Sequence, residues 1–172
     1  MKTTAILYLL FLVIPLFSQE ITCTKIDTVS KTKERIYLDS KRFISDYWKS
    51  TPAVVDYDSE EDGIIVIKAL SKHQVSITMQ TLTYWFAYKL TIEIKEGRYR
   101  VKISNVWCER TTTTGDYELV RPPINEYTTP MKMNIPRKKY WNMMEELTEY
   151  IEDVCEEVNN YLQLPSVVDE EW

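Results

Sequence analysis

The chain has 172 residues and a formal net charge of −5 at pH 7. This length is that of one ordinary domain, whose core needs neither a metal nor many disulfides for stability. The acidic balance disfavours a nucleic-acid partner, because Lys and Arg contacts dominate affinity for a phosphate backbone. It equally disfavours simple electrostatic attachment to anionic lipid.

The N-terminus has the pattern of a secretory signal peptide. Lys2 precedes an apolar run over residues 5–17, and Ser18 is small enough to be the last residue before cleavage. The run is shorter than the roughly 20 apolar residues that a membrane-spanning helix needs. We therefore predict a signal peptide over residues 1–18, a mature protein that does not span the membrane, and export to the periplasm or the extracellular space.

The residues that follow predict one strand, one helix and then a block of strands. Residues 21–30 are rich in Thr, Ile and Val, which favour a strand. Over residues 33–49 apolar side chains recur with the period of an amphipathic helix, which Pro52 ends. Short β-branched or alternating segments then predict strands over 53–57, 64–70, 74–82, 83–95 and 98–108.

The last two of these strands form a hairpin whose register follows from their side chains. If Glu96 and Gly97 are a two-residue loop, Ile94 pairs with Tyr99 and Glu93 with Arg100. A slip by one residue would place charges in the core, so this register is strongly preferred. The outward cluster Arg98, Arg100 and Lys102 is either an anion site or, as we favour, a solvated face with a Glu93–Arg100 cross-strand pair.

The C-terminal third combines an irregular connection with a long helix. Residues 109–135 lose periodicity and contain a Pro-Pro pair, although 117–120 can add an edge strand. A connection of this length is either functional or mobile. After Pro136, apolar residues at helical spacing predict a helix lying on the sheet, which Pro165 ends. We predict one domain over residues 19–165 and an acidic tail over 166–172.

The cysteine and histidine residues indicate one candidate disulfide and no metal site. Cys23 and Cys108 each lie near the end of a predicted strand, whereas Cys155 falls on the buried side of the last helix. We therefore predict a Cys23–Cys108 disulfide and a free Cys155. His73, the only histidine, lies in a polar segment that we interpret as a solvated turn. The cysteine spacings match no zinc motif, and we expect no metal.

Catalytic motifs are missing from the sequence. There is no Gly-x-Ser-x-Gly and no phosphate-binding loop, and three glycines in the whole chain cannot form a glycine-rich cradle. The acidic stretch 56–63 fails the pattern of a calcium loop at its sixth and twelfth positions. It is either a weak calcium site or, as we favour, a polar turn. We expect no enzyme and no cofactor.

Several strings together resemble a known family. Trp48 near the end of the first helix, Val-Val-Asp-Tyr-Asp over 54–58, and Tyr-Lys-Leu-Thr-Ile-Glu-Ile-Lys-Glu-Gly-Arg-Tyr-Arg over 88–100 carry the likeness. They resemble a bacterial domain family that has no assigned function, a TBP-like fold, and many exported members in Bacteroidota. The resemblance covers residues 22–108, and the 109–135 connection departs from it. It implies an α+β fold of order β-α-β4-α, a curved antiparallel sheet with two helices packed on one face. It supplies no catalytic residue.

Two functional hypotheses remain. The first is a non-enzymatic binding module of the cell envelope, whose partner is an envelope protein. Its predicted interaction surface lies either around Trp85 or in the 109–135 connection. Trp85 falls on the sheet face opposite the apolar run, so we expect its ring to be exposed. The second is a carrier of a small apolar ligand, lined by Tyr140, Met143 and Met144 between sheet and helix.

Overall fold

The computed structural model describes residues 21–49, 53–78, 80–113, 118–119 and 135–165. The predicted signal peptide, most of the 109–135 connection and the acidic tail lie outside the described residues, so these predictions stay predictions. The elements in chain order are β1 Cys23–Thr28, α1 Lys33–Tyr47, β2 Ala53–Ser59, β3 Ile64–Ile77, β4 Gln80–Lys95, β5 Arg98–Thr113, β6 Glu118–Leu119 and α2 Arg137–Gln163.

The strands form one antiparallel sheet in the order β1–β5–β4–β3–β2, and the short β6 pairs with the far end of β5. Helix α2 contacts β1, β5 and β3, and α1 contacts β4 and α2. The predicted α+β architecture, with two helices packed on one side of an antiparallel sheet, is confirmed. We call the side that bears the helices the inner face and the opposite side the outer face.

The core lies between the inner face and the helices. Alternate residues of the central strand β4 point inward and are at most 2% exposed from Tyr84 onward: Tyr84, Phe86, Tyr88, Leu90, Ile92 and Ile94. The apolar stripe of α2 covers them with Tyr140, Met143, Leu147, Ile151, Val154, Val158 and Leu162, all buried. Neither described helix has the length and the apolarity that crossing a membrane requires.

The β4–β5 hairpin has the predicted register. Ile94 pairs with Tyr99 and Glu93 with Arg100, and Gly97 takes a φ of 65° in the connecting turn. The Arg100 guanidinium forms an ion pair with Glu93 on the outer face. This pair agrees with the solvated-face interpretation of the Arg98, Arg100 and Lys102 cluster.

The β3–β4 hairpin lies elsewhere than the sequence predicts. Residues 71–74 continue strand β3 instead of turning, and the chain reverses between Ile77 and Gln80, which pair directly. Thr78 adopts a φ of 48° in this turn. The prediction was wrong because the true turn has no Gly, Pro or Asn to mark it, while polar residues 71–74 fit a strand whose outer side faces water.

Candidate functional site

The outer face of strands β3, β4 and β5 carries a cluster of lysines and tryptophans. The pairing register aligns Lys68 with Lys89, Leu70 with Ala87 and Trp107, and Lys72 with Trp85. Successive rows are about 7 Å apart, since alternate residues of a strand share a face. We define the Trp–Lys patch as Lys68, Leu70, Lys72, Trp85, Lys89 and Trp107.

Two lysines of the patch lie over two tryptophan rings. Lys68 Nζ is 4.9 Å from the centroid of the Trp107 ring, and Lys72 Nζ is 5.8 Å from that of Trp85. Each distance is within the reach of a cation–π interaction. Both indoles are half-buried, and Lys72 is exposed. The patch thus combines broad apolar surface with positive charge held beside it.

Trp85 occupies the face that the sequence predicts, since its neighbours Tyr84 and Phe86 point into the core. It is half-buried, whereas we expected an exposed ring. The Lys72 side chain, whose Nζ lies 5.8 Å from the ring centroid, covers part of the indole.

Trp107 is a member of the patch that the sequence analysis missed. Strict alternation from Val101 and Ile103, which are buried, would turn Trp107 toward the helices. A β-bulge at Asn105, with a φ of 51°, shifts the phase, so that Val106 and Cys108 point inward and Trp107 outward. The available signal was Asn105 itself, because Asn is one of the few residues that tolerate a positive φ inside a strand.

The patch is locally basic in an acidic chain. The basic residues that the register aligns in the three rows are Lys68, Lys72, Lys89 and Arg110, and none of the aligned residues is acidic. Glu109 lies outside the aligned rows, at the bulge between Cys108 and Arg110. The nearest carboxylate along β4 is Glu93, about 13 Å from Lys89, and it pairs with Arg100. The seven acidic residues of α2 that the sequence places on its polar side are all exposed, on the other side of the sheet.

His73 lies on the inner face, so its interpretation as a solvated turn residue was wrong. Its ring packs at 5.6 Å from Phe86 and 5.9 Å from Tyr150, measured between centroids. Burial lowers the pKa of His73 below its ordinary value of 6.5, against the opposing effect of Glu146. Its Nε2 atom is buried and hydrogen bonds to no described atom.

An open cleft of about 210 Å³ lies between the end of β3 and the first turns of α2. Most of its lining is polar, with Gln74, Ser76, Lys139, Asn142 and Glu146 beside Val75 and Met143. Tyr140 and Met143 are buried in the core, against which Met144 packs. An apolar ligand needs a mostly apolar pocket, so this cleft gives the carrier hypothesis no support.

The predicted Cys23–Cys108 disulfide is not formed, and its geometry is wrong. Cys23 pairs with Ile103, so Cys108 lies five residues farther along β5, about 15 Å away. A disulfide needs Cα atoms less than about 7 Å apart. The predicted inward position of Cys155 is confirmed, because its side chain is fully buried.

The acidic stretch 56–63 comprises the end of β2 and the turn that leads to β3. Asp58 accepts hydrogen bonds from Tyr37 and Lys41, and Asp62 accepts one from Tyr57. These carboxylates therefore have protein partners, as in a polar turn. Within the described ranges, no group of three or more His, Cys, Asp or Glu side chains is placed to hold a metal ion.

Comparison with known proteins gives a family and a fold. The model of the family "Domain of unknown function (DUF4468) with TBP-like fold" matches residues 23–108. A crystal structure of a DUF4468 family protein from Bacteroides ovatus is similar, with 14% identity, a TM-score of 0.60, and 90% of this chain and 92% of that chain covered. A TBP-like protein from Parabacteroides distasonis has 12% identity and a TM-score of 0.61 over 87% of this chain and 96% of that chain. Among curated proteins, none matches the sequence.

Proposed function

The chain belongs to the DUF4468 family, which has a TBP-like fold and no assigned function, and we propose that it is a non-enzymatic binding module of the cell envelope. Its partner in this proposal is an acidic segment of an envelope protein, which binds to the Trp–Lys patch. The observation that carries the proposal is the pair of lysine–tryptophan contacts on adjacent strands, in rows without a carboxylate.

Tryptophan and positive charge are complementary means of binding a protein segment. Tryptophan is enriched among the residues that contribute most to binding energy, because a large ring gains much contact area when it is buried. Lysines beside the rings attract carboxylates, raise the association rate and disfavour basic partners. Strands β3, β4 and β5 are hydrogen-bonded neighbours, so the patch is held on rigid elements and needs little ordering before it binds.

The non-enzymatic part of the proposal rests on the sequence. It has one histidine and neither a nucleophile motif nor a phosphate loop. Placement in the envelope rests on the signal peptide predicted over residues 1–18. Both are parts of the proposal, and the binding experiment tests the proposal by looking for the partner that it predicts.

Site-directed photo-crosslinking in native envelopes tests the proposal. A photoreactive residue replaces Leu70 inside the patch or, as a control, Lys95 on the same outer face beyond Glu93. We expect a discrete adduct with an acidic protein from position 70 and none from position 95. Equal adducts from both positions would show that the patch is not the binding surface.

Affinity measurements with the captured protein complete the test. Lys72→Glu and Lys89→Glu should each weaken binding about tenfold, and Lys95→Glu by less than about threefold, because the latter charge lies outside the patch. Raising the salt concentration should weaken wild-type binding and reduce the difference between variants. An affinity that does not change with Lys72→Glu, Lys89→Glu or salt would contradict an acidic partner.

A further inference from the structure

Cys23 on β1 and Cys155 on α2 are neighbours where these two elements pack together. Cys23 and Lys25 are alternate residues of β1 on the inner face, because their partners Ile103 and Val101 are core residues. Lys25 Nζ forms an ion pair of 2.7 Å with the carboxylate of Glu156, the residue after Cys155. This contact fixes β1 and α2 side by side at the level of the two cysteines.

Cys155 belongs to the buried stripe of α2, and this stripe packs against the inner face of β1 that carries Cys23. Burial and the neighbouring Cys23 thiol raise the pKa of Cys155 above its ordinary value. Cys155 is fully buried, whereas Cys23 is only partly buried at the edge of the core. The pair therefore has one thiol that a reagent in solution reaches first and a second, fully buried thiol beside it.

We propose that Cys23 and Cys155 are an oxidation site, at which a disulfide-containing oxidant converts the two thiols into one intramolecular disulfide. The Cys23 thiolate attacks one sulfur of the oxidant, whose S–S bond breaks and whose other sulfur leaves as a thiolate. The Cys155 thiolate then attacks Cys23 Sγ and displaces the second sulfur of the oxidant. Two protons pass from the cysteines to the two released thiolates, and two electrons reduce the oxidant to two thiols.

This bond would join the first strand to the last helix. The closed loop spans roughly 130 residues, which is nearly the whole described chain. Constraining so long a loop lowers the entropy of the unfolded chain and raises the melting temperature. It also holds α2 on β1, so that the helix cannot leave the sheet without reduction.

Cys108 serves as the internal control. It is 1% exposed, it also points inward, and it lies about five residues beyond Cys23 along the sheet. Oxidation should therefore leave it as the single free thiol. A disulfide that includes Cys108 would contradict the register of β1 and β5.

Oxidised glutathione is the probe, applied to the purified folded protein and followed by denaturation and alkylation. We expect a loss of about 2 Da, one alkylated cysteine instead of three, and a proteolytic fragment that links Cys23 to Cys155. Cys108→Ser should form the same link. Cys23→Ser should form none, and it should fold because Cys23 is only partly buried.

A second readout is the melting temperature of the oxidised and reduced forms. The oxidised wild type and Cys108→Ser should melt on the order of 10 °C higher than their reduced forms, and Cys23→Ser should show no such shift. Three alkylated cysteines after oxidation, a lasting glutathione adduct on Cys23, or a link through Cys108 would each overturn the proposal.

Discussion

A buried ion-pair cluster around Asp39 ties the start of the fold to its end. Asp39 lies on the buried side of α1, with its side chain 7% exposed. Its carboxylate is 2.9 Å from Lys31 Nζ and 3.2 Å from Arg35 Nε. Lys31 Nζ also donates a hydrogen bond of 2.8 Å to the carbonyl oxygen of Leu162 near the end of α2. We expect Asp39→Ala to destabilise the protein strongly.

The magnitude follows from burial. The Lys31 side chain is 9% exposed, so removing Asp39 leaves a buried ammonium that donates to the carbonyl oxygen of Leu162 and has lost its carboxylate. Breaking a buried pair by deleting one partner costs about 3–5 kcal/mol. For a chain of this size that cost corresponds to a fall in melting temperature of about 10 °C.

Asp46 supplies a matched control in the same helix. It pairs with Lys49 at 2.8 Å, but the two side chains are 61% and 71% exposed. Asp46→Ala should therefore change the free energy of unfolding by less than about 1 kcal/mol. Urea unfolding followed by tryptophan fluorescence measures both variants.

Two results would refute this reasoning. The first is a loss below about 1 kcal/mol for Asp39→Ala, which is the range of exposed pairs. The second is a loss of stability for the double variant Lys31→Met/Asp39→Leu that equals or exceeds the loss for Asp39→Ala. The double variant removes both charges and keeps apolar volume. It should therefore be destabilised less than Asp39→Ala, because no buried charge of the pair is left without its partner.

Three further predictions concern the backbone and the histidine. Gly63→Ala should lower the free energy of unfolding by about 2 kcal/mol or more, because φ is +64° and the new Cβ would strike the Ile94 carbonyl oxygen. Gly97→Ala has a similar φ of +65°, but the nearest atom to its new Cβ is 3.6 Å away, so it should cost only about 1 kcal/mol. Urea unfolding measures both variants. Asn105→Val should cost about 1–2 kcal/mol and Asn105→Gly much less, since a β-branched residue resists the φ of 51° at the bulge. In an NMR titration His73 should protonate below pH 6.5, because burial favours its neutral form. The stability that the neutral form contributes should be complete above pH 6.5 and should decline as the pH falls. A titration midpoint above 6.5 would contradict the burial of His73.

The elements that were predictable from the sequence have a strong period and marked ends. Helix α2 combines a long apolar stripe with Pro136 before it and Pro165 after it. The β4–β5 hairpin has Gly97 in its turn, and only one register keeps charges out of the core. The β3–β4 turn was missed because Thr78 takes a positive φ in a segment whose residues favour strands.

The candidate site was only half predictable, because side chains on neighbouring strands meet through pairing and bulges. Alternation along β4 alone was enough to place Trp85 on the outer face. Trp107 reaches the same face only through the bulge at Asn105, and Lys68 and Lys72 reach the rings only through the register of β3. The proximity of Cys23 to Cys155 was equally hidden, because it depends on which strand α2 covers.

The net charge of the chain does not decide what the patch attracts. The exposed acids of α2 lie on the helix side of the sheet, so the sheet itself separates them from the outer face. At physiological ionic strength the field of a charge is largely screened beyond about 8 Å. A partner at the outer face therefore responds mainly to Lys68, Lys72 and Lys89, and not to the total of −5. The acidic class of the proposed partner follows from this local charge.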